Sequence, residues 1–150
     1  MQSIIKHLSK QGAPNAQPIF HTLSLAGLVT DEATPANVAA LLIGVTAPPF
    51  SNLAEYVSDR LYAAADGGEF FGDALCSVLS AEPSQLTVTQ ISINQAQPWC
   101  RVSYLDGDVS EYEAGNTPQS IRTDVIISGG TIAALALKLK FPVTESGWKE

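Results

Sequence analysis

Charge is scarce in this chain. Asp, Glu, Lys and Arg make up 15% of its 150 residues, against about 25% in an average soluble domain. The eight basic residues form no cluster, which argues against a nucleic-acid backbone or an anionic membrane as partner, because both are bound by grouped Lys and Arg. The balance is acidic, with a net charge of −7, so a basic protein partner stays compatible. A surface so poor in charge predicts that part of it is covered, most simply by a second copy of the chain in a homodimer.

Cysteine and histidine are nearly missing too. Cys76, Cys100, His7 and His21 include no Cys-x-x-Cys and no zinc spacing, so no metal and no cofactor is expected. Two cysteines without a secretory start read as buried thiols rather than as a disulfide or a nucleophile. Long apolar runs are absent: the longest, "VAALLIGVTA" from Val38, is half of the roughly 20 residues that cross a membrane. No basic start, apolar run and cleavage site opens the chain. The expectation is a soluble, cytoplasmic protein of one domain's size. "SGGT" and "GGEFFG" lack the Lys of a phosphate loop, and no Gly-x-Ser-x-Gly elbow occurs. "DGDVSEYE" fails as a calcium loop, since Glu111 stands where Gly is needed and Thr117 where Glu is needed.

What is present divides at about residue 85. Before it the period is helical. "TPANVAALLIGV" opens on Thr34 as N-cap and Pro35 at the first helical position, and is apolar on nearly every side, which predicts a buried helix. "SNLAEYVSDRLYAA" carries Leu53, Tyr56 and Val57 at helical spacing, with Arg60 to Tyr62 turning into a short strand. "GGEFFGDALCSVLS" puts Phe70 and Phe71, Ala74 and Leu75, and Val78 and Leu79 on one stripe. In the first 33 residues "IIKHL" reads as one or two helical turns and "IFHTLSLAGLV" as either state.

After residue 85 the period is two. In "QLTVTQISIN" Leu86 and Val88 lie in one phase and Ile91 and Ile93 in the other, so a bulge near Thr89 or Gln90 is needed to bury both pairs. Asp106-Gly107 sits between two alternating runs, a strong hairpin signal. A second hairpin is expected around Gly129 and Gly130, its last arm facing Leu135, Leu137, Leu139 and Phe141 one way. The sum is an α+β domain of helices packed on a strongly curved, mostly antiparallel sheet of five strands.

The stretches "NLAEYVSDRLYAAADGGEFFGDALCSVLS", "LTVTQISI", "WCRVSYLDG" and "TDVIISGGTI" resemble the nuclear transport factor 2-like, or SnoaL-like, superfamily over residues 34 to 142. The resemblance implies a cone in which helices fold onto a bent sheet around an apolar pocket, commonly in a dimer joined through the sheet. It divides the chain into an N-terminal extension, 1–33, packed on a domain, 34–150. The superfamily holds isomerases, dehydratases and epoxide hydrolases as well as non-catalytic protein-binding modules, so the fold does not decide the function.

Most of the family's chemistry has no counterpart here. The base of ketosteroid isomerase falls near Ala64 and its pocket tyrosine near Ala40, while its second acid falls on Asp124. The Arg-x-Asp strand of the epoxide hydrolases aligns with Arg101-Val102-Ser103 and keeps only the arginine; their second acid falls near Leu137. The histidine pair of scytalone dehydratase has no match.

The expected catalytic set is therefore Asp124 as acid or base, with Arg122 and Arg101 as electrostatic partners. Tyr62, Trp99, Tyr104 and Ile126 are the expected wall of a pocket for a small apolar ligand. Such a site fits a metal-free isomerase, cyclase or hydratase-type acid-base catalyst. The alternative is a non-catalytic binding or assembly module, its cone filled by its own side chains. Asp124 then sits in a structural ion pair.

Overall fold

The apolar run too short for a membrane becomes the central helix. The computed structural model describes residues 1–114 and 122–141; Ser120 and Ile121, ahead of Arg122, and the last nine residues of the expected domain lie outside it. Five helices come first: α1 (Gln2–Lys10), α2 (Ala16–Leu25), α3 (Pro35–Gly44), α4 (Leu53–Leu61) and α5 (Phe71–Ser80). Thr34 caps α3 as expected, its side chain accepting from the Asn37 N–H. Every residue from Val38 to Gly44 is buried, because α2, α4 and α5 all pack against this helix. Helix α4 runs through Leu61 and is capped by Asn52, which accepts from the Glu55 N–H. The strand expected over Arg60 to Tyr62 is thus helix, and strand-like pairing is confined to Ala64, which bridges Phe70 and Glu113.

The sheet follows: β1 (Val88–Asn94), β2 (Trp99–Tyr104), β3 (Val109–Glu113) and β4 (Asp124–Ser128), all antiparallel, in the order β3-β2-β1-β4. The expected bulge is present, as a register shift between Val88 and Gln90. The Asp106-Gly107 hairpin joins β2 to β3, with Gly107 at φ +93°, a backbone state that costs glycine nothing. Ile91, Ile93, Cys100, Val102, Tyr112 and Ile127 point to one face and enter a single buried cluster with Leu41, Ile43 and Leu75. Residues 1–33 supply α1 and α2, whose Ile4, Ile5, Leu8, Phe20 and Leu23 belong to that same cluster.

The second hairpin is not formed. After β4 the described chain turns into helix α6 (Gly129–Lys140), so the sheet has four described strands and not five. Two periodicities share this segment: Leu135, Leu137 and Leu139 alternate, yet Ile132, Leu135 and Leu139 also recur at three and four, and Ile132, Leu135 and Ala136 are buried. Helix-favouring Ala, Leu and Lys weigh on the same side. Ser128 starts the helix, accepting from the Thr131 N–H at 3.1 Å, and α5 and β1 receive it.

Gly129 lets α6 approach. A Cβ at that position would lie 2.2 Å from the Val88 carbonyl oxygen, whereas one at Gly130 would meet only the Ser128 hydroxyl at 3.8 Å. Gly129→Ala is therefore expected to lower the unfolding free energy by about 2 kcal/mol or more, since the obstacle is backbone. Gly130→Ala should raise it by about 0.5–1 kcal/mol through helix propensity. Urea denaturation of the two variants checks the pair of opposite signs, which a strand at 129–141 would not produce.

Candidate functional site

Strand alternation sends Ser92, Asn94, Trp99, Arg101, Asp124 and Ile126 to the face opposite the helix-covered cluster. The register sets them in rows, Glu111 beside Arg101 beside Ser92 beside Ile126. Trp99 is 3% exposed although it lies outside the main cluster, because two guanidinium groups stack on it. Arg122 sits 4.3 Å and Arg101 5.0 Å from the ring centroid, a cation–π arrangement.

Four of the expected site residues, Arg101, Arg122, Trp99 and Asp124, come together here, and Arg122 pairs with Asp124 as expected, whereas Arg101 does not. Arg101 turns to Glu111 at 2.8 Å. Arg122 donates from Nε to Asp124 at 3.1 Å, and Asn94 Nδ2 donates to the other carboxylate oxygen at 2.8 Å. Both oxygens of Asp124 thus accept from fixed donors, and its side chain is 20% exposed.

The expected pocket wall is dispersed. Tyr62 is 64% exposed at the end of α4, edge-on to Phe70 at 5.5 Å. Tyr104 packs on the helix side of the sheet. Ile126 is 54% exposed. Beneath the helices the sheet is closed by its own side chains, with Ile91, Ile93, Cys100, Val102 and Tyr112 all at 1% exposure or less. The concavities described lie along the margins of the sheet: about 310 Å³ beside β4, about 660 Å³ beside β3 and about 510 Å³ at the β2–β3 hairpin.

The polar centre of the fold is a residue that sequence reading left without a role. Arg60 is 3% exposed. Its Nε and one terminal nitrogen donate to the Asn94 carbonyl at 3.0 and 2.8 Å, with further bonds to the carbonyls of Gln97 at 3.0 Å and Tyr56 at 3.1 Å. The guanidinium carbon lies 3.5 Å from the Tyr56 ring centroid. Asn94 completes the junction, its Oδ1 accepting from the N–H groups of Ala96 and Gln97. Tyr56 pairs its hydroxyl with Thr46 at 2.8 Å. The available signal was weak: Tyr56 and Arg60 are four apart on a helix, where side chains meet, but nothing local marks the carbonyls that Arg60 reaches 34 residues later.

Burial sets the electrostatics of this interior. It pulls Arg60 below the usual guanidinium value, against the opposing influence of Tyr56. It pushes the Cys100 thiol up to about 12, an effect that the nearby Arg60 charge partly offsets. Tyr112 is pushed up to about 12 as well, by burial first and then by the Glu69 carboxylate, which faces its hydroxyl at 3.2 Å. Cys76 and Cys100 are both free thiols, and neither sits beside a base that would make it a nucleophile. Among the described residues no group of three His, Cys, Asp or Glu is placed to hold a metal ion, and no helix is long and apolar enough to cross a membrane.

Fold and site together define a broad class: an α+β domain with helices on one face of an antiparallel sheet and an arginine-clasped tryptophan on the other. No family model matches the chain, and no curated protein or solved structure does either.

Two outcomes follow from these contacts. Arg60→Lys and Arg60→Met should each lower the unfolding free energy by about 3 kcal/mol, since a lysine point charge cannot serve three carbonyls and their desolvated oxygens lose partners. Asp124→Asn should lower it by about 1 kcal/mol or less, its pair being partly open to solvent; guanidinium titrations compare the three.

The second outcome concerns pH. Folded Cys100 and Tyr112 keep their protons above the ordinary values of 9.0 and 10.0 at which the unfolded chain releases them. The folded state then binds more protons, so stability should hold to about pH 9 and fall as the pH rises towards 12. Melting curves across that range, with Cys100→Ala flattening the first part of the fall, check the sign.

Proposed function

We propose that the chain is a non-catalytic protein-binding or assembly module. One observation supports this above the others: the only acid expected to do chemistry, Asp124, is engaged at both carboxylate oxygens by Asn94 and Arg122. Two donors hold the carboxylate in one orientation, as in a structural ion pair. The dispersal of Tyr62, Tyr104 and Ile126, and the turning of Arg101 to Glu111, favour the same reading. So does the closed sheet face, where a small apolar ligand would have had to sit.

The resemblance to the nuclear transport factor 2-like superfamily belongs to this proposal as a reading of the fold. Helices followed by a bulged antiparallel sheet support it; helix α6, where a closing strand was expected, departs from it. A homodimer fits the same reading, since Leu25, Phe50, Tyr62 and Leu105 stand exposed.

Native mass spectrometry of the purified protein tests the proposal. The expected masses are those of the chain or whole multiples of it, with no organic molecule retained. A stoichiometric small molecule that disappears in Asp124→Asn would overturn the module reading and restore a ligand-processing site of isomerase, cyclase or hydrolase type.

A further inference from the structure

Among the described strands β4 lies at the edge of the sheet, and its register tells which of its backbone groups face away from β1. The Gln95 N–H donates to the Thr123 carbonyl at 3.0 Å. Bonded pairs alternate along an antiparallel ladder, so Ile93–Val125 and Ile91–Ile127 are the bonded pairs. The N–H and C=O of Ile126, the C=O of Asp124 and the N–H of Ser128 therefore point away from β1. They point along the 310 Å³ cleft that Val125 to Ser128 border.

Besides the strand, the cleft is lined by Leu8, Leu42 and Val45 and by Gln11 to Ala13 between α1 and α2. None of the twelve lining residues carries a charge, in a chain whose net charge is −7. The concavity at the other edge of the sheet differs, being lined by Asp66, Glu111, Glu113 and Arg101. Ile126, 54% exposed, borders the neutral cleft on its outer side.

Resting on the reading of the chain as a protein-binding module, we propose that this cleft takes an extended, uncharged segment of a partner protein as a fifth strand against β4. The row of outward amides selects an extended backbone. The uncharged lining disfavours Asp, Glu, Lys or Arg in the segment, since their charge would lose water without gaining a partner. Alternate side chains of the segment would drop onto Leu8, Leu42 and Val45, so apolar residues are expected at every second position.

The test uses the full chain, labelled with nitrogen-15, and the blocked pentapeptide Ac-Thr-Val-Thr-Val-Thr-NH2. The expected result is saturable shifts at the amides of Ile126, Ser128 and Gln11 to Ala13. Methylating the central peptide nitrogen should weaken binding about tenfold, the loss of one hydrogen bond. Ile126→Pro should abolish the shifts while leaving the fold intact, because proline at this position removes only an outward N–H. Replacing both valines by Glu should also abolish them.

Absence of shifts at millimolar peptide would overturn the inference, as would equal binding of the methylated peptide. Concentration-dependent shifts of the same amides without peptide would overturn it in favour of a second copy. Failure here with no retained small molecule in the mass spectrum would remove this edge and leave the module reading standing, whereas a retained ligand would remove that reading itself.

Discussion

The fold turns on a buried guanidinium. Arg60 leaves helix α4, lies over the Tyr56 ring and ends on the carbonyls of Asn94 and Gln97. It thereby ties the helical layer to the turn between β1 and β2. A buried positive charge is costly unless its hydrogen bonds are satisfied, and here the partners are the carbonyl dipoles of Tyr56 in its own helix and of Asn94 and Gln97 at the β1–β2 turn. Asn94, itself 1% exposed, passes the constraint on: its carbonyl meets Arg60, its Oδ1 holds the turn, and its Nδ2 reaches Asp124. The position of β4 and the state of Asp124 thus depend on a residue in α4.

That chain of contacts changes the meaning of the site. Arg122, Asp124, Arg101 and Trp99 are neighbours, as a reading of their strands suggests, but each is already occupied by a partner from the chain itself. Arginine stacked on tryptophan and a carboxylate accepting from two donors form a polar clasp. The clasp covers an aromatic ring on the sheet face away from the helices. What remains open is at the margins, where backbone groups of β4 and the carboxylates beside β3 meet solvent.

Much of the fold was legible because its signals were local. The Thr34 cap and Pro35, the buried length of α3, the stripe on α5, the bulge before Gln90 and the turn at Asp106-Gly107 all lie within a few residues of the structure they specify. Helix α6 was misread because its leucines satisfy two periods at once, and the arbiter was distant: room for the segment beside Val88 exists only because Gly129 has no side chain. Of the candidate site, membership was largely legible and roles were not. Alternation shows which residues share a face, but which donor reaches Asp124 depends on Asn94, 30 residues earlier.

By itself, then, the sequence determined helices α3 and α5, the order of β1 to β4 with the bulge and the Asp106-Gly107 turn, and the phase of each strand face. Caps, turns and periodicity act over one or two turns of chain, so these features needed no partner. Tertiary structure alone decided that residues 129 to 140 are helical, that Arg60 is the interior anchor and that Asn94 joins Arg122 on Asp124. Each of those outcomes depends on groups brought together by packing, at separations over which no local preference of the backbone extends.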